Sequence, residues 1–155
     1  MKKIILTLAL VAGMISAANA QVDGKAIGLR FGGSYTGNYG AELSYQQALG
    51  SANRLELDLG VNSWGLGLTG IYQWAWDLSA LSDGFNWYAG IGANVGLWNT
   101  YSSYSGITAG IAGQVGIEYN FNIPLQLSLD YRPIIPLFNG HGYSDGICLS
   151  ARYKF

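Results

Sequence analysis

Charged residues and cysteine are scarce in this sequence, and long hydrophobic runs are missing after its first twenty residues. Asp, Glu, Lys and Arg together make up 11% of the chain, against about 25% in ordinary soluble domains. Nevertheless, no run of roughly 18 or more apolar residues follows the first twenty, so transmembrane helices are excluded. The one cysteine, Cys148, cannot form a disulfide within the chain.

The first twenty residues have the pattern of a secretory signal peptide. Two lysines near the start are followed by an apolar segment too short to span a bilayer and by Ala18-Asn19-Ala20, a small-residue cleavage site. We therefore predict a cleaved signal peptide over 1–20 and a mature chain over 21–155. Its removal leaves six basic and nine acidic residues, a formal charge of −3. That balance excludes a basic nucleic-acid-binding surface.

Beyond the leader, apolar residues alternate with polar or very small residues at a period of two. Leu125, Leu127 and Leu129, for example, form one face, and the residues between them are polar. This period predicts β-strands with one apolar face. Eight strands are predicted, over 25–34, 39–47, 54–62, 66–76, 86–98, 106–119, 125–135 and 146–155.

The apolar faces of these predicted strands carry no charged residue. Apolar faces turned outward and polar faces turned inward are typical of transmembrane β-barrels, because only a closed ring satisfies every backbone hydrogen bond in hydrocarbon. We therefore predict an all-β fold, an eight-stranded antiparallel up-and-down transmembrane β-barrel. A soluble barrel such as a lipocalin is the alternative, but it would expose a glycine-rich face with few lysines to water.

The aromatic residues are predicted to form two girdles, one at each end of the barrel, as at two membrane interfaces. The girdle at the end that carries the chain termini comprises Tyr45, Trp74, Trp76, Phe85, Trp87, Tyr119, Phe121, Tyr153 and Phe155. The opposite girdle comprises Phe31, Tyr35, Tyr39, Trp64, Trp98, Tyr101, Tyr104, Phe138 and Tyr143.

The last predicted strand carries the most specific signal, in which Leu149, Ala151, Tyr153 and Phe155 alternate up to the final residue. The chain after the leader resembles the small outer-membrane β-barrel family of Gram-negative bacteria, the eight-stranded group that includes the barrel of outer membrane protein A. The resemblance implies a location in the cell outer membrane. It also implies that Tyr153 and Phe155 form the assembly signal read by the barrel-assembly machinery.

The interior of an eight-stranded barrel has room only for side chains. The polar faces place charges of both signs there, and the predicted lumenal network comprises Arg30, Glu42, Glu56, Asp58, Glu118, Asp130, Arg132 and Arg152. Counting equal distances from the turns predicts three facing pairs: Arg30 with Glu42, Asp130 with Arg152, and Arg132 with Ser150. Because buried charges need partners, we interpret this network as a structural plug, with a narrow ion path as the alternative.

A catalytic site is the other possibility, because His141, Ser144 and Asp145 lie close together in a glycine-rich stretch. Lipid A deacylases of outer membranes carry their His and Ser two apart on one strand, whereas His141 and Ser144 are three apart. In a strand that spacing points the two side chains to opposite faces. The pattern favours a non-enzymatic protein, and His141 with Asp145 alone would not make a metal site.

The sequence therefore predicts a small, monomeric, integral outer-membrane barrel with a plugged polar interior and a structural or surface-interaction role. The alternative function is a lipid-modifying enzyme of the lipid A acyl hydrolase or transferase type. Expected partners are outer-membrane lipid and lipopolysaccharide, with the barrel-assembly machinery and periplasmic chaperones during biogenesis. No cofactor, metal or nucleic acid is expected.

Overall fold

The computed structural model describes residues 24–32, 40–62, 65–98, 106–138 and 143–155. These residues form eight strands and no helix: β1 (Lys25–Gly32), β2 (Glu42–Ala48), β3 (Asn53–Asn62), β4 (Gly65–Asp77), β5 (Phe85–Trp98), β6 (Gly106–Asn120), β7 (Leu125–Phe138) and β8 (Tyr143–Lys154). The predicted strand ranges agree within three residues at every end that the structure describes. The predicted leader, 1–20, lies outside the described residues.

Every strand pairs antiparallel with the strand before and after it, and β1 pairs with β8. The eight strands therefore form a closed up-and-down barrel, which confirms the predicted all-β, eight-stranded antiparallel fold. We call the end that carries Lys25 and Lys154 the lower end, and the end that carries Gly32 and Gly65 the upper end. Within the described ranges, no helix is long and apolar enough to cross a membrane.

The period-two pattern of the sequence decides which side chains face the lumen. On β4, Thr69, Ile71 and Gln73 are buried, while Leu68 and Trp74 are exposed on the outer surface. The other strands alternate in the same way, with polar or small residues inside and large apolar residues outside. The barrel thus has the reverse of the usual distribution in a soluble domain, where the interior is apolar.

Two glycines lie where neighbouring strands approach too closely for a side chain. A Cβ atom at Gly92 on β5 would overlap the backbone oxygen of Gly70, and one at Gly28 on β1 would overlap that of Ala151 on β8. Glycine within a strand often marks such a close backbone approach. Because Gly28 lies in the seam where β8 meets β1, closure of the ring depends on this bare position.

Strand β7 is irregular on both of its edges. It continues through Pro133 and Pro136 to Phe138, and its pairing shifts register between Ala109 and Gly110 on β6 and between Tyr131 and Pro133 beside β8. Proline has no N–H to donate to a ladder, so it is tolerated in sheets at edges and bulges. The bulges are therefore what allow β7 to extend past the residue at which the sequence predicts its end.

The predicted β7–β8 register is wrong. Asp130 lies opposite Cys148 rather than Arg152, and Arg152 lies opposite Gln126. Ser150 lies opposite Ser128, so the predicted facing of Arg132 and Ser150 is also wrong. The prediction assumed a symmetrical connection centred on residue 141, whereas pairing is centred near residue 139. The predicted facing of Arg30 and Glu42 is confirmed.

We expect Gly92→Ala to lower the free energy of unfolding by about 1–3 kcal/mol, the usual cost of overpacking. Gly113→Ala on β6 is the matched control, because its Cβ would have only an ordinary contact, 3.6 Å from Pro133 Cγ. Denaturant unfolding of both variants in detergent micelles measures the difference. Equal stability of the two variants would show that the close approach at Gly92 is not a constraint.

Candidate functional site

The candidate site is the lumen, whose buried side chains are mostly polar. Nineteen polar or charged residues are buried among the described residues, against seven hydrophobic ones. All eight members of the predicted lumenal network lie inside, none more than 6% exposed. Burial of so many charges requires that each finds a partner of opposite sign, and the strands bring those partners together in three groups.

The largest group is a chain of five alternating charges that we call the Asp130–Asp58 chain. Arg30 lies between Asp130 and Glu42, with Nη2 2.7 Å from Asp130 Oδ1 and Nη1 2.9 Å from Glu42 Oε2. Arg132 then links Glu42 to Asp58, with Nη2 2.6 Å from Glu42 Oε2 and Nη1 2.7 Å from Asp58 Oδ2. The chain joins β7, β1, β2 and β3, so it crosses the lumen.

The second group is centred on Arg152 of β8. Its Nη2 lies 2.9 Å from Glu56 Oε2 on β3, and its other guanidinium nitrogens donate to the hydroxyls of Ser44 and Ser128. Glu56 also accepts from Gln46 at 2.6 Å. The carboxylate that neutralises Arg152 is therefore Glu56, on the far side of the ring, and not the Asp130 predicted from the hairpin count.

The third group contains Arg54 and Tyr88, two residues that the sequence analysis did not single out. Arg54 Nη2 lies 2.6 Å from Glu118 Oε2, an ion pair whose angle falls outside hydrogen-bond geometry. The Arg54 guanidinium also lies over the Tyr88 ring, 4.8 Å from its centroid, a cation–π contact. Tyr88 in turn donates to Asp130 Oδ2 at 3.1 Å, which connects this group to the Asp130–Asp58 chain.

Both missed residues had a signal in the sequence. Arg54 shares its parity with Glu56 and Asp58, but it stands at the start of the predicted strand, where the inward face is hardest to assign. Tyr88 is two residues from Gly90 and therefore lies on the same face of its strand, where most of the other residues are glycines. Its ring fits because Gly116 is bare: a Cβ there would lie 2.7 Å from Tyr88 Cζ.

The lumen also contains a small apolar cluster and a cavity. Ile71, Ala112 and Ile134 form the apolar cluster on the inner faces of β4, β6 and β7. The cavity, about 430 Å³, opens at the lower end, where Lys25 and Lys154 are among its lining residues. It reaches inward to Arg54 and Glu118, so the third charge group forms part of its wall.

Aromatic rings cluster at the lower end, on the outer surface. Trp76 and Trp87 stack with ring centroids 4.2 Å apart, and Tyr119 packs edge-on against Phe121 at 4.7 Å. The lower girdle predicted from the sequence thus places its rings in mutual contact. Of the upper girdle, only the side chain of Phe31 is within the described part of the chain, and it is exposed.

The candidate catalytic residues are not brought together by anything that the structure describes. His141 lies outside the described residues, and of Ser144 and Asp145 only the backbone, in β8, is described. Among the described side chains, no group of three or more His, Cys, Asp or Glu could hold a metal ion. Catalysis by these residues therefore stays the untested alternative.

Comparison with known proteins finds no protein-family model that matches this chain and no curated protein that matches it significantly.

We expect Glu118→Gln to lower the free energy of unfolding by about 3–5 kcal/mol, because it leaves the buried Arg54 without its carboxylate. The double variant with Arg54→Gln should recover part of this loss, since no unpaired charge then stays in the lumen. Asp77→Asn is the control: its carboxylate accepts from Ser79 near the lower mouth, and a change within about 0.5 kcal/mol is expected. Strictly additive single and double effects would contradict the pairing.

Proposed function

We propose that this chain is a small integral outer-membrane barrel of the eight-stranded kind found in Gram-negative bacteria, with a structural or surface-interaction role. The observation that carries the proposal is the outer surface. All eight strands carry exposed large apolar residues on their outer faces, from Leu57 at 36% to Ile147 at 70%, and among the described side chains no charged one joins them between the strand ends. Water solvates such a surface poorly, whereas hydrocarbon suits it.

Strand length supports the same proposal. The strands β3 to β8 contain 10, 13, 14, 15, 14 and 12 residues, and a tilted strand needs about 9–11 residues to cross a bilayer. Aromatic rings concentrated at the lower end suit a membrane interface, where rings with one polar edge are enriched. The apolar band and the lower girdle together have the dimensions of a membrane-spanning barrel.

The ion pairs that cross the lumen support a plugged interior rather than an open pore. Arg132 reaches from β7 to Glu42 and Asp58 on the opposite strands, which places a guanidinium across the channel. A side chain held by two carboxylates does not move aside without leaving charges unpaired. We infer that the barrel works through its surface and loops, as a monomer in contact with outer-membrane lipid and lipopolysaccharide.

The proposed route to that membrane follows from the sequence signals. Export would use the predicted signal peptide, and periplasmic chaperones and the barrel-assembly machinery would then insert the chain. Tyr153 and Phe155 are exposed on the outer face of the last strand, with ring centroids 6.4 Å apart. Their exposure on that face suits a signal that another protein reads.

Replacing Leu57 or Ile91 by Arg should cost about 2–4 kcal/mol of folding into lipid vesicles, the usual cost of a charge on the lipid face near the midplane. Leu81→Arg is the control, because Leu81 is 78% exposed in the turn between β4 and β5. Urea titration in vesicles measures the difference. Equal stability of Leu57→Arg and Leu81→Arg would place residue 57 outside hydrocarbon and would sink the membrane proposal.

Removing the terminal aromatic ring should impair insertion without impairing export. We expect Phe155→Ala to accumulate in the periplasm as aggregate or degraded product, while Phe155→Tyr inserts normally. Alanine keeps the backbone hydrogen bonds between residue 155 and Lys25. Comparing the two variants therefore distinguishes the role of the aromatic ring from the role of these backbone bonds in closing the barrel. Fractionation of cells and blotting give the amounts. Normal outer-membrane levels of Phe155→Ala would show that the ring is not part of the assembly signal.

A further inference from the structure

The charges inside the barrel do not balance. Among the side chains that the structure describes, the lumen buries four guanidinium groups and five carboxyl groups. A net negative charge in a dry interior is costly, and proteins avoid it by binding a proton or a cation. The three charge groups show where the excess lies.

Two of the groups are balanced one to one. Arg152 faces Glu56, and Arg54 faces Glu118. The Asp130–Asp58 chain instead places three carboxyl groups on two guanidinium groups. The excess negative charge therefore belongs to this chain. Its central member, Glu42, has an arginine on each side, so the excess belongs to one of the two ends.

The two ends are not equivalent. Asp130 has both oxygens occupied, because Oδ1 accepts from Arg30 and Oδ2 accepts from Tyr88. Asp58 has one occupied oxygen, Oδ2, which accepts from Arg132. Its Oδ1 is buried with no hydrogen-bond partner, in a residue that is 1% exposed. Buried polar atoms nearly always have a partner, so Asp58 Oδ1 is the position in the Asp130–Asp58 chain with capacity for one more.

Among the described residues, the surroundings of Asp58 contain oxygen atoms, and every buried arginine is already paired with a carboxylate. Glu56 on its own strand and Glu42 on β2 are acidic, and both are already paired with arginines. The ladder neighbours are Ser44 on β2 and Thr69 on β4. Their hydroxyl oxygens accept from Arg152 and Asn94 respectively, which leaves oxygen lone pairs available on both sides of Asp58.

We propose that Asp58 Oδ1 is a binding site for one monovalent positive charge, either a proton or an alkali-metal ion. A proton from solvent would add to Oδ1, while Oδ2 continues to accept from Arg132. An alkali-metal ion would bind Oδ1 with the Ser44 and Thr69 hydroxyls, since hard cations take oxygen ligands. Either occupant brings the described lumen to neutrality, with no other change in the Asp130–Asp58 chain.

The test compares wild-type protein with Asp58→Asn, which has nearly the same shape and no charge to neutralise. The unfolding equilibrium constant of each protein is measured in detergent micelles between about pH 5.5 and pH 8.5. Over this range of about three pH units, one bound proton changes the equilibrium constant about tenfold per unit. A second series varies sodium at constant pH, with choline replacing it to hold ionic strength. Taking the ratio of wild type to variant removes the contribution of His141 and other titrating groups.

Each arm identifies one occupant. If a proton is bound, the ratio rises about tenfold per pH unit and does not depend on sodium. If an alkali-metal ion is bound, the ratio falls by about tenfold per tenfold increase in sodium at saturation. Infrared spectra give a second readout: a protonated carboxyl band present in wild type and absent in Asp58→Asn indicates the proton.

The control is Asp77→Asn, which removes a carboxylate from outside the Asp130–Asp58 chain and should keep the dependence of wild type. A ratio that is flat in both pH and sodium, with no protonated carboxyl band in wild type, would overturn the proposal. If Asp58→Asn fails to fold, wild-type unfolding that depends on neither pH nor sodium, with no protonated carboxyl band, would still overturn the proposal, and a sodium dependence or that band would support it.

Discussion

The pairing of β8 with β1 is the contact on which the rest of the structure depends. It closes the ladder, so that no strand edge is left unpaired. Closure also gives each strand one face that points into the lumen and one face that points away from the barrel. Among the side chains that the structure describes, every charged one between the strand ends is on the first face. The charge network and the apolar outer band are therefore two results of one closed ring.

The inner space is used unevenly around that ring. Buried charged side chains come from β1, β2, β3, β6, β7 and β8, whereas β5 contributes glycines, two asparagines and the ring of Tyr88. Bare backbone at Gly116 gives Tyr88 its place, and Tyr88 then holds Asp130 while Arg54 lies over its ring. Thus the small residues on one side of the lumen set where the charged residues of the other side are anchored.

The sequence predicts contacts between residues that are close in sequence better than contacts between residues that are far apart in it. Strand positions and facing follow from a period of two, which is a local property, and the facing of Arg30 and Glu42 follows from the short β1–β2 connection. The β7–β8 pairs do not follow, because their pairing is centred near residue 139 and no local pattern marks that centre. Contacts across the lumen, such as Arg132 with Glu42, depend on the stagger of the whole ring, which no local pattern contains. The inward position of Arg54 could have been predicted, because Arg54 and Glu56 are two residues apart on one strand and therefore share a face.

The cross-lumen reach of Arg132 has a consequence for the order of folding. Its partners are 90 and 74 residues away in sequence, while neighbouring strands can pair as local hairpins. An open sheet keeps Arg132 and its carboxylates in contact with water, where an unpaired charge costs little. Desolvation and pairing then occur in the same late step, when the first and last strands meet. A ring that closes in the wrong register buries mismatched charges, so the network disfavours misassembled barrels at the moment they form.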